Sequence, residues 1–374
     1  MTKTVIILGA SYTGVGIAHS LLKRTQKEVT DLKVVLVSTT THMYWNLASV
    51  RAIVPGQLSD DKIFQDIQSG FKQYPSGSFE FVHGRATGIN PDANTVTIST
   101  ESGESTKDYD HLVISTGSRT VGDVPWKASL EGYEKTKSLL HEYQNKVKEA
   151  KSIVIAGAGP TGVETSGEIA FEFGKGKEVT LITSGKSVLA DLPASVVKVA
   201  TNELQNLGVK IVAETKVQGS VTKPDGKTEL TLSTGEKLVT DLYLPTVGVI
   251  PNTEYVPSKL LNDHGDVVVD EYLHAKNTSN IWAAGDVVDI QPSQMKYATD
   301  QSKALSKNLD LVLKGKAPEI YKFDGAPIIA VTIGRSKATG RSGNMKLPSL
   351  LIWWIKGRTL FTEKLPKYIS GAEF

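Results

Sequence analysis

The chain has 374 residues, 40% of them hydrophobic and 22% charged. That is longer than one ordinary domain of roughly 100–200 residues and too apolar for disorder, so two or three folded domains are expected. It contains no cysteine, which excludes disulfides, thiolate nucleophiles, Cys-ligated zinc and iron–sulfur clusters, and fits a reducing compartment. Net charge is only +2, yet residues 335–374 carry eight Lys or Arg against two Glu, a basic tail suited to an anionic partner.

In chain order, Val5-Ile6-Ile7-Leu8 reads as a buried strand that runs directly into Gly9. It is therefore expected to be a strand and not a signal-peptide core, and Thr2 does not offer the glycine needed for myristoylation. Val15, Ile17, Ala18, Leu21 and Leu22 then recur at helical spacing, and Lys33–Ser38 is the next strand. The same grammar returns with strand Ser152–Ala156, a turn at Gly157–Gly162, helical Val163, Ile169, Ala170 and Phe173, and strand Glu178–Thr183. Two βαβ units about 150 residues apart predict an α/β fold with two Rossmann-like dinucleotide-binding domains. Short strands at Phe79–Val82, Thr95–Ser99 and His111–Ser115 follow the first unit. Lys210–Ala213, Glu229–Ser233 and Leu242–Thr246 follow the second, with Pro224-Asp225-Gly226 as a turn. From about Pro318 the composition changes, predicting a small C-terminal α+β unit. No apolar run approaches the roughly 20 residues that span a bilayer.

The sharper motif is Gly157-Ala158-Gly159-Pro160-Thr161-Gly162. Its first glycine permits a tight turn, the second lets backbone approach a pyrophosphate, and the third lets helix pack on strand. The helix N-terminus beyond it offers N–H groups and a positive dipole end to phosphate. The first motif, Gly9-Ala10-Ser11-Tyr12-Thr13-Gly14, has Ser11 at the middle glycine position, where a hydroxyl can still donate to phosphate. Neither unit ends its second strand on the acid that usually binds a ribose 2′-hydroxyl. The first has Ser38-Thr39-Thr40 there and the second Thr183-Ser184-Gly185-Lys186. The second site therefore leaves NADPH open beside NADH; Lys186 is either a phosphate partner or a solvated loop charge.

These motifs resemble the two-dinucleotide-binding-domain flavoproteins, within them the apoptosis-inducing-factor-like branch that includes ferroptosis-suppressor-type NAD(P)H–quinone oxidoreductases. The resemblance implies a domain order of 1–117 for the first part of an FAD domain, 118–250 for an inserted NAD(P)H domain, 251–317 for the rest of the FAD domain, and 318–374 for the tail. It implies that Gly9, Ser11 and Gly14 meet the FAD pyrophosphate, with Ser38 at the ribose. Asn46 would line the flavin side and Arg51 would meet FAD phosphate. Thr116-Gly117 marks the strand end where the chain crosses between domains. Gly157, Gly159, Thr161, Gly162 and Ser184 belong to the coenzyme site, and Glu164 would stand near the nicotinamide as a catalytic residue. Thr246-Val247-Gly248-Val249-Ile250-Pro251-Asn252 resembles the family's T-G-x-x-P-N turn. Gly285-Asp286 resembles the second FAD motif, whose aspartate binds the ribityl chain. A helix from Met295 would aim its positive end at the flavin, bringing Lys296 and Tyr297 close to it; for Lys296 a plain surface role stays open.

The implied cofactors are FAD with NADH or NADPH as co-substrate. Without cysteine the flavin has no thiol pair to discharge through, which points to a quinone-like acceptor. The seven histidines show no metal-ligand spacing, so no catalytic metal is expected. Leu350-Leu351-Ile352-Trp353-Trp354-Ile355, followed by Lys356 and Arg358, suits peripheral contact with a membrane surface; packing on the flavin domain or a homodimer surface are the alternatives, and monomer and homodimer both stay open. A cytoplasmic protein, free or peripheral on an intracellular membrane, is expected, with no nucleic-acid partner because basic and aromatic residues are not interleaved. The competing functions are a biosynthetic flavoenzyme acting on a soluble metabolite and an apoptosis-inducing-factor-like binding protein.

Overall fold

A computed structural model describes residues 2–322 and 327–374. Its first sheet is parallel throughout, in the order Ile281–Ala283, His111–Ile114, Lys3–Leu8, Leu32–Ser38, Phe79–His83. Val5, Ile6, Ile7 and Leu8 are essentially inaccessible, as a central parallel strand covered on both faces requires. The helix Tyr12–Lys23 buries Val15, Ile17, Ala18, Leu21 and Leu22, the positions its spacing picked out. The second parallel sheet runs Lys210–Val212, Glu178–Ile182, Ser152–Ala156, Leu242–Pro245.

In each sheet the strand before the glycine turn lies between its successor and a strand from much later in the chain. That is the topological switch point, where open α/β sheets bind ligands beyond the strand ends. The chain leaves the first sheet after His111–Ile114 and returns to it at Ile281–Ala283. Ser118–Thr120 and Val249–Pro251, paired antiparallel, carry it out and back. Two helices escaped the sequence reading, Tyr133–Glu149 and Ala194–Asn206.

The tail forms the antiparallel sheet Ile328–Ile333, Lys337–Ser342, Met345–Lys346, then short helical segments at Ser349–Ile352 and Leu365–Ile369. Its apolar residues divide between two cores. Val331 and Ile333 join that of the second sheet, while Leu360, Leu365, Tyr368 and Ile369 join that of the first. Between the short helices, Trp353–Gly357 is a π-turn.

Candidate functional site

The two glycine turns are built alike. Gly9 and Gly157 have φ of +103° and +104°, left-handed values that glycine adopts freely. A Cβ on Gly14 would overlap the Gly9 carbonyl oxygen, and one on Gly162 would overlap that of Gly157. Each helix is thus drawn against the turn that precedes it. A Cβ on Gly159 would meet nothing within 4 Å, so that position is reserved for backbone facing open space, as a bound pyrophosphate requires. The side chain of Ser11, at the start of the first helix, makes no capping hydrogen bond.

A cavity of about 1330 Å³ opens at the end of the first sheet, larger than the roughly 300–1,000 Å³ of ordinary small-molecule sites. One wall runs from Gly9, Ser11, Tyr12 and Thr13 past Ser38, Asn46 and Leu47 to Thr116, Gly117, Gly285 and Asp286. This run fits an extended dinucleotide: a backbone turn for pyrophosphate, hydroxyls at the strand end, and an acid further along. Ser38 Oγ accepts the Thr40 N–H at 3.2 Å, and Asn46 Nδ2 donates to the Trp126 carbonyl at 3.1 Å. Thr116 Oγ1 donates to the Asn252 carbonyl at 2.6 Å. Asp286 is held by the Ser118 hydroxyl at 2.9 Å and by Lys127.

The second wall comes from the other sheet and the tail. Pro160, Thr161, Glu164, Gly248, Ala330 and Lys356 line it. Glu164 Oε1 accepts from Lys356 Nζ at 2.6 Å, the Thr332 N–H at 2.9 Å and the Thr332 hydroxyl at 3.2 Å. Lys356 also donates to the Ala330 carbonyl at 2.8 Å. A third side is formed by Lys296, Thr299 and Asp300 with Phe361, Tyr368 and Phe374. The Lys296–Asp300 ion pair is 2.5 Å long and about a third exposed, and the Thr299 and Tyr368 hydroxyls are 3.0 Å apart. Burial pushes the Tyr12 phenol far up, so it stays a neutral hydroxyl at every ordinary pH, and it accepts the Leu47 N–H at 3.4 Å.

Several expected positions do not line this cavity. Arg51 does not line the cavity, although Ser49 and Val50 do; it is buried against Glu168 at 2.7 Å. The sequence shows an arginine on the flavin-side segment, but only packing shows it turned away from it. Tyr297 is buried behind the cavity wall, because the helix Met295–Leu313 turns its Lys296 face to the cavity and the next residue into the core. Gly157, Gly159, Gly162 and Ser184 lie outside the cavity at the end of the second sheet, and Ser184 is exposed. Lys356, read as a basic flank of the apolar run, is only 7% exposed and faces Glu164. Lys356 and Lys127 are the site residues that sequence reasoning missed; for Lys356 the available signal was a lysine directly ending the apolar run Leu350–Ile355. Among the described residues no group of three or more His, Asp or Glu could hold a metal ion, and no helix is long and apolar enough to cross a membrane.

Comparison with known proteins agrees with this fold. Residues 3–302 match the pyridine nucleotide-disulphide oxidoreductase family. "Oxidoreductase ptaL" of Pestalotiopsis fici is 45% identical over 373 residues, covering 99% of each chain. Ferroptosis suppressor protein 1 of Xenopus tropicalis is 28% identical over 375 residues, covering 96% of this chain and 94% of the relative. Among solved structures, the sulfide:quinone oxidoreductase of Aquifex aeolicus superposes with a TM-score of 0.79 at 18% identity, over 99% of this chain and 92% of that one.

The fold and paired glycine turns define a two-dinucleotide-binding-domain flavoprotein oxidoreductase, a class that works with FAD and NADH or NADPH. The chain belongs to the pyridine nucleotide-disulphide oxidoreductase family, although it has no cysteine from which to make the disulphide of that name.

Proposed function

We propose that the protein is an NAD(P)H:quinone oxidoreductase. The observation that carries the reading is one cavity walled by both dinucleotide units, in a chain without a single cysteine. The chemistry that FAD supplies when bound is acceptance of a hydride from NADH or NADPH and delivery of both electrons to the acceptor. Gly9, Ser11 and Gly14 would hold its pyrophosphate, Ser38 and Asn46 the adenosine and flavin sides of the run, and Asp286 its ribityl hydroxyls. Gly157, Gly159, Thr161, Gly162 and Ser184 would hold the reduced coenzyme, whose nicotinamide end would approach Glu164 and Gly248. Glu164 is fixed by three donors, so it can orient a carboxamide without swinging. Lys296 stands at the start of its helix beside the third side, where a quinone oxygen would develop negative charge. With no thiol available, the acceptor must itself reach this cavity.

The tail supports a lipophilic acceptor met at a membrane surface. Leu350 and Trp354 are 74% and 60% exposed, with Leu351 and Ile355 beside them, and the Arg358 guanidinium lies over the Trp354 ring. Ile355 also lines the cavity, so the apolar surface continues into the site. Stopped-flow reduction of the holoenzyme by NADH and by NADPH, followed by reoxidation with a panel of quinones and with oxygen, tests the reading. Rapid reoxidation by quinones is expected; inertness to every quinone overturns it.

A further inference from the structure

The helix Pro160–Phe173 carries Glu164, Glu168 and Glu172 four residues apart on one face. Each carboxylate meets a cation from outside its own sheet: Lys356, Arg51 and Arg335 respectively. The middle pair is the most buried, with Arg51 side-chain exposure of 5% and Glu168 of 1%. Arg51 does more than neutralise Glu168. Its Nε and Nη2 donate to Glu168 Oε1 at 2.9 and 2.7 Å, while Nη2 and Nη1 donate to the carbonyls of Gly357 and Arg358 at 2.8 and 3.0 Å.

Those carbonyls lie at the C-terminal end of the π-turn that presents Lys356. Arg358 N donates to the Trp353 carbonyl five residues back at 3.0 Å, a widened turn of the kind found at functional sites. A lysine has a long, flexible stem, so its ammonium is placed no better than its backbone. The fork of Arg51 fixes that backbone immediately after Lys356. Reaching a phosphate would cost Arg51 all four of these bonds. It would also strand Glu168, whose Oε2 already has no hydrogen-bond partner among the described residues and whose carboxyl burial pushes upward against the pull of Arg51.

We infer that Arg51 and Glu168 are a positioning pair: they clamp the Trp353–Gly357 turn so that Lys356 meets Glu164 at the coenzyme-side wall, and Arg51 is not a ligand of FAD phosphate. The kinetic part of this inference rests on the proposed NAD(P)H reaction; the structural part does not. Arg51→Lys keeps one charge, but a single ammonium nitrogen cannot reproduce the spread of the guanidinium fork, whose Nε, Nη1 and Nη2 each donate here. The double change R51M/E168M replaces the buried pair by apolar side chains, an exchange that buried ion pairs often tolerate without loss of stability. It keeps the experiment informative where a single change fails to fold. Gly357→Ala moves the turn without touching charge, because its Cβ would lie 2.8 Å from Trp353 Cδ1.

The tests use holoenzyme with three readouts: FAD retained after gel filtration, the limiting rate and coenzyme Kd of flavin reduction by stopped flow, and amide hydrogen exchange across residues 353–360. All three variants should retain FAD, exchange faster over 353–360, and lose about 10- to 100-fold in limiting rate with little change in Kd, on the cost of misplacing a group by about 1 Å. Adding Lys356→Met to R51M/E168M should lower the rate no further. Loss of FAD from folded R51K or R51M/E168M overturns the inference, as does unchanged exchange in the tail or a multiplicative effect of Lys356→Met. If the wild-type protein is reduced by neither coenzyme, the proposed function falls, while hydrogen exchange and FAD retention still decide the clamp.

Discussion

Gly159→Ala separates folding from binding at the coenzyme turn. The added Cβ meets nothing within 4 Å, and the backbone there, φ −72° and ψ −174°, is open to any residue. Loss of glycine's freedom in the unfolded chain should therefore leave stability unchanged or raise it by about 0.4–1 kcal/mol. The methyl group would stand where the coenzyme pyrophosphate must approach backbone. A forced retreat there should raise the Kd for NADH or NADPH by about 10- to 100-fold, equivalent to ~1.4–2.8 kcal/mol. Gly162→Ala is the contrasting change, because its Cβ would collide with the Gly157 carbonyl; it should lower both Tm and affinity. The assay is coenzyme titration followed by flavin absorbance, with Tm measured on the same samples. A Gly159→Ala protein with wild-type Kd would refute the placement of the coenzyme on this turn. One that loses Tm as Gly162→Ala does would refute the reading of open space.

Further outcomes follow from the same geometry. His19 is fully buried between Tyr74 and the Ile369 carbonyl, and burial lowers its pKa from 6.5 to about 4. Its contribution is present above pH ~6.5 and is lost as pH falls towards 4, by at most ~3 kcal/mol. Urea unfolding at pH 7 and pH 4.5 should show this loss, and His19→Gln should reduce it; an undiminished loss in the variant would exonerate the histidine. Asp286→Asn removes the charge that Lys127 and Ser118 hold at the cavity wall. The Kd for FAD should rise about tenfold (~1.4 kcal/mol), seen as FAD lost on gel filtration, with Tm of the apoprotein little changed; full retention would remove Asp286 from the FAD site. The double change L350S/W354S alters only exposed side chains, so stability should stay within about 0.5 kcal/mol. Flotation with anionic liposomes should weaken; equal flotation of both proteins would place the membrane contact elsewhere.

Much of this was legible along the chain because it depends on local rules. Val5–Leu8 and Ile153–Ala156 had to be buried strands, being unbroken apolar runs that end on glycine. The close approaches of Gly14 to Gly9 and of Gly162 to Gly157 follow from motif spacing alone. The absence of cysteine needs no structure at all. The helix Tyr133–Glu149 escaped because its face is mostly charged and only Thr136, Leu139, Leu140 and Val147 are buried, which leaves a thin apolar stripe.

What the tertiary structure decided was where long charged side chains go. Arg51 follows Ser49 and Val50, which line the cavity, yet it turns inward because Glu168, 117 residues away, and two tail carbonyls satisfy its guanidinium. Lys356 follows a run whose Leu350, Leu351 and Trp354 are exposed, yet the π-turn swings it to Glu164. An arginine or lysine stem reaches several ångströms in any direction, so local pattern cannot choose its partner. Only the packing of helix Pro160–Phe173 against the tail brings those carboxylates within reach.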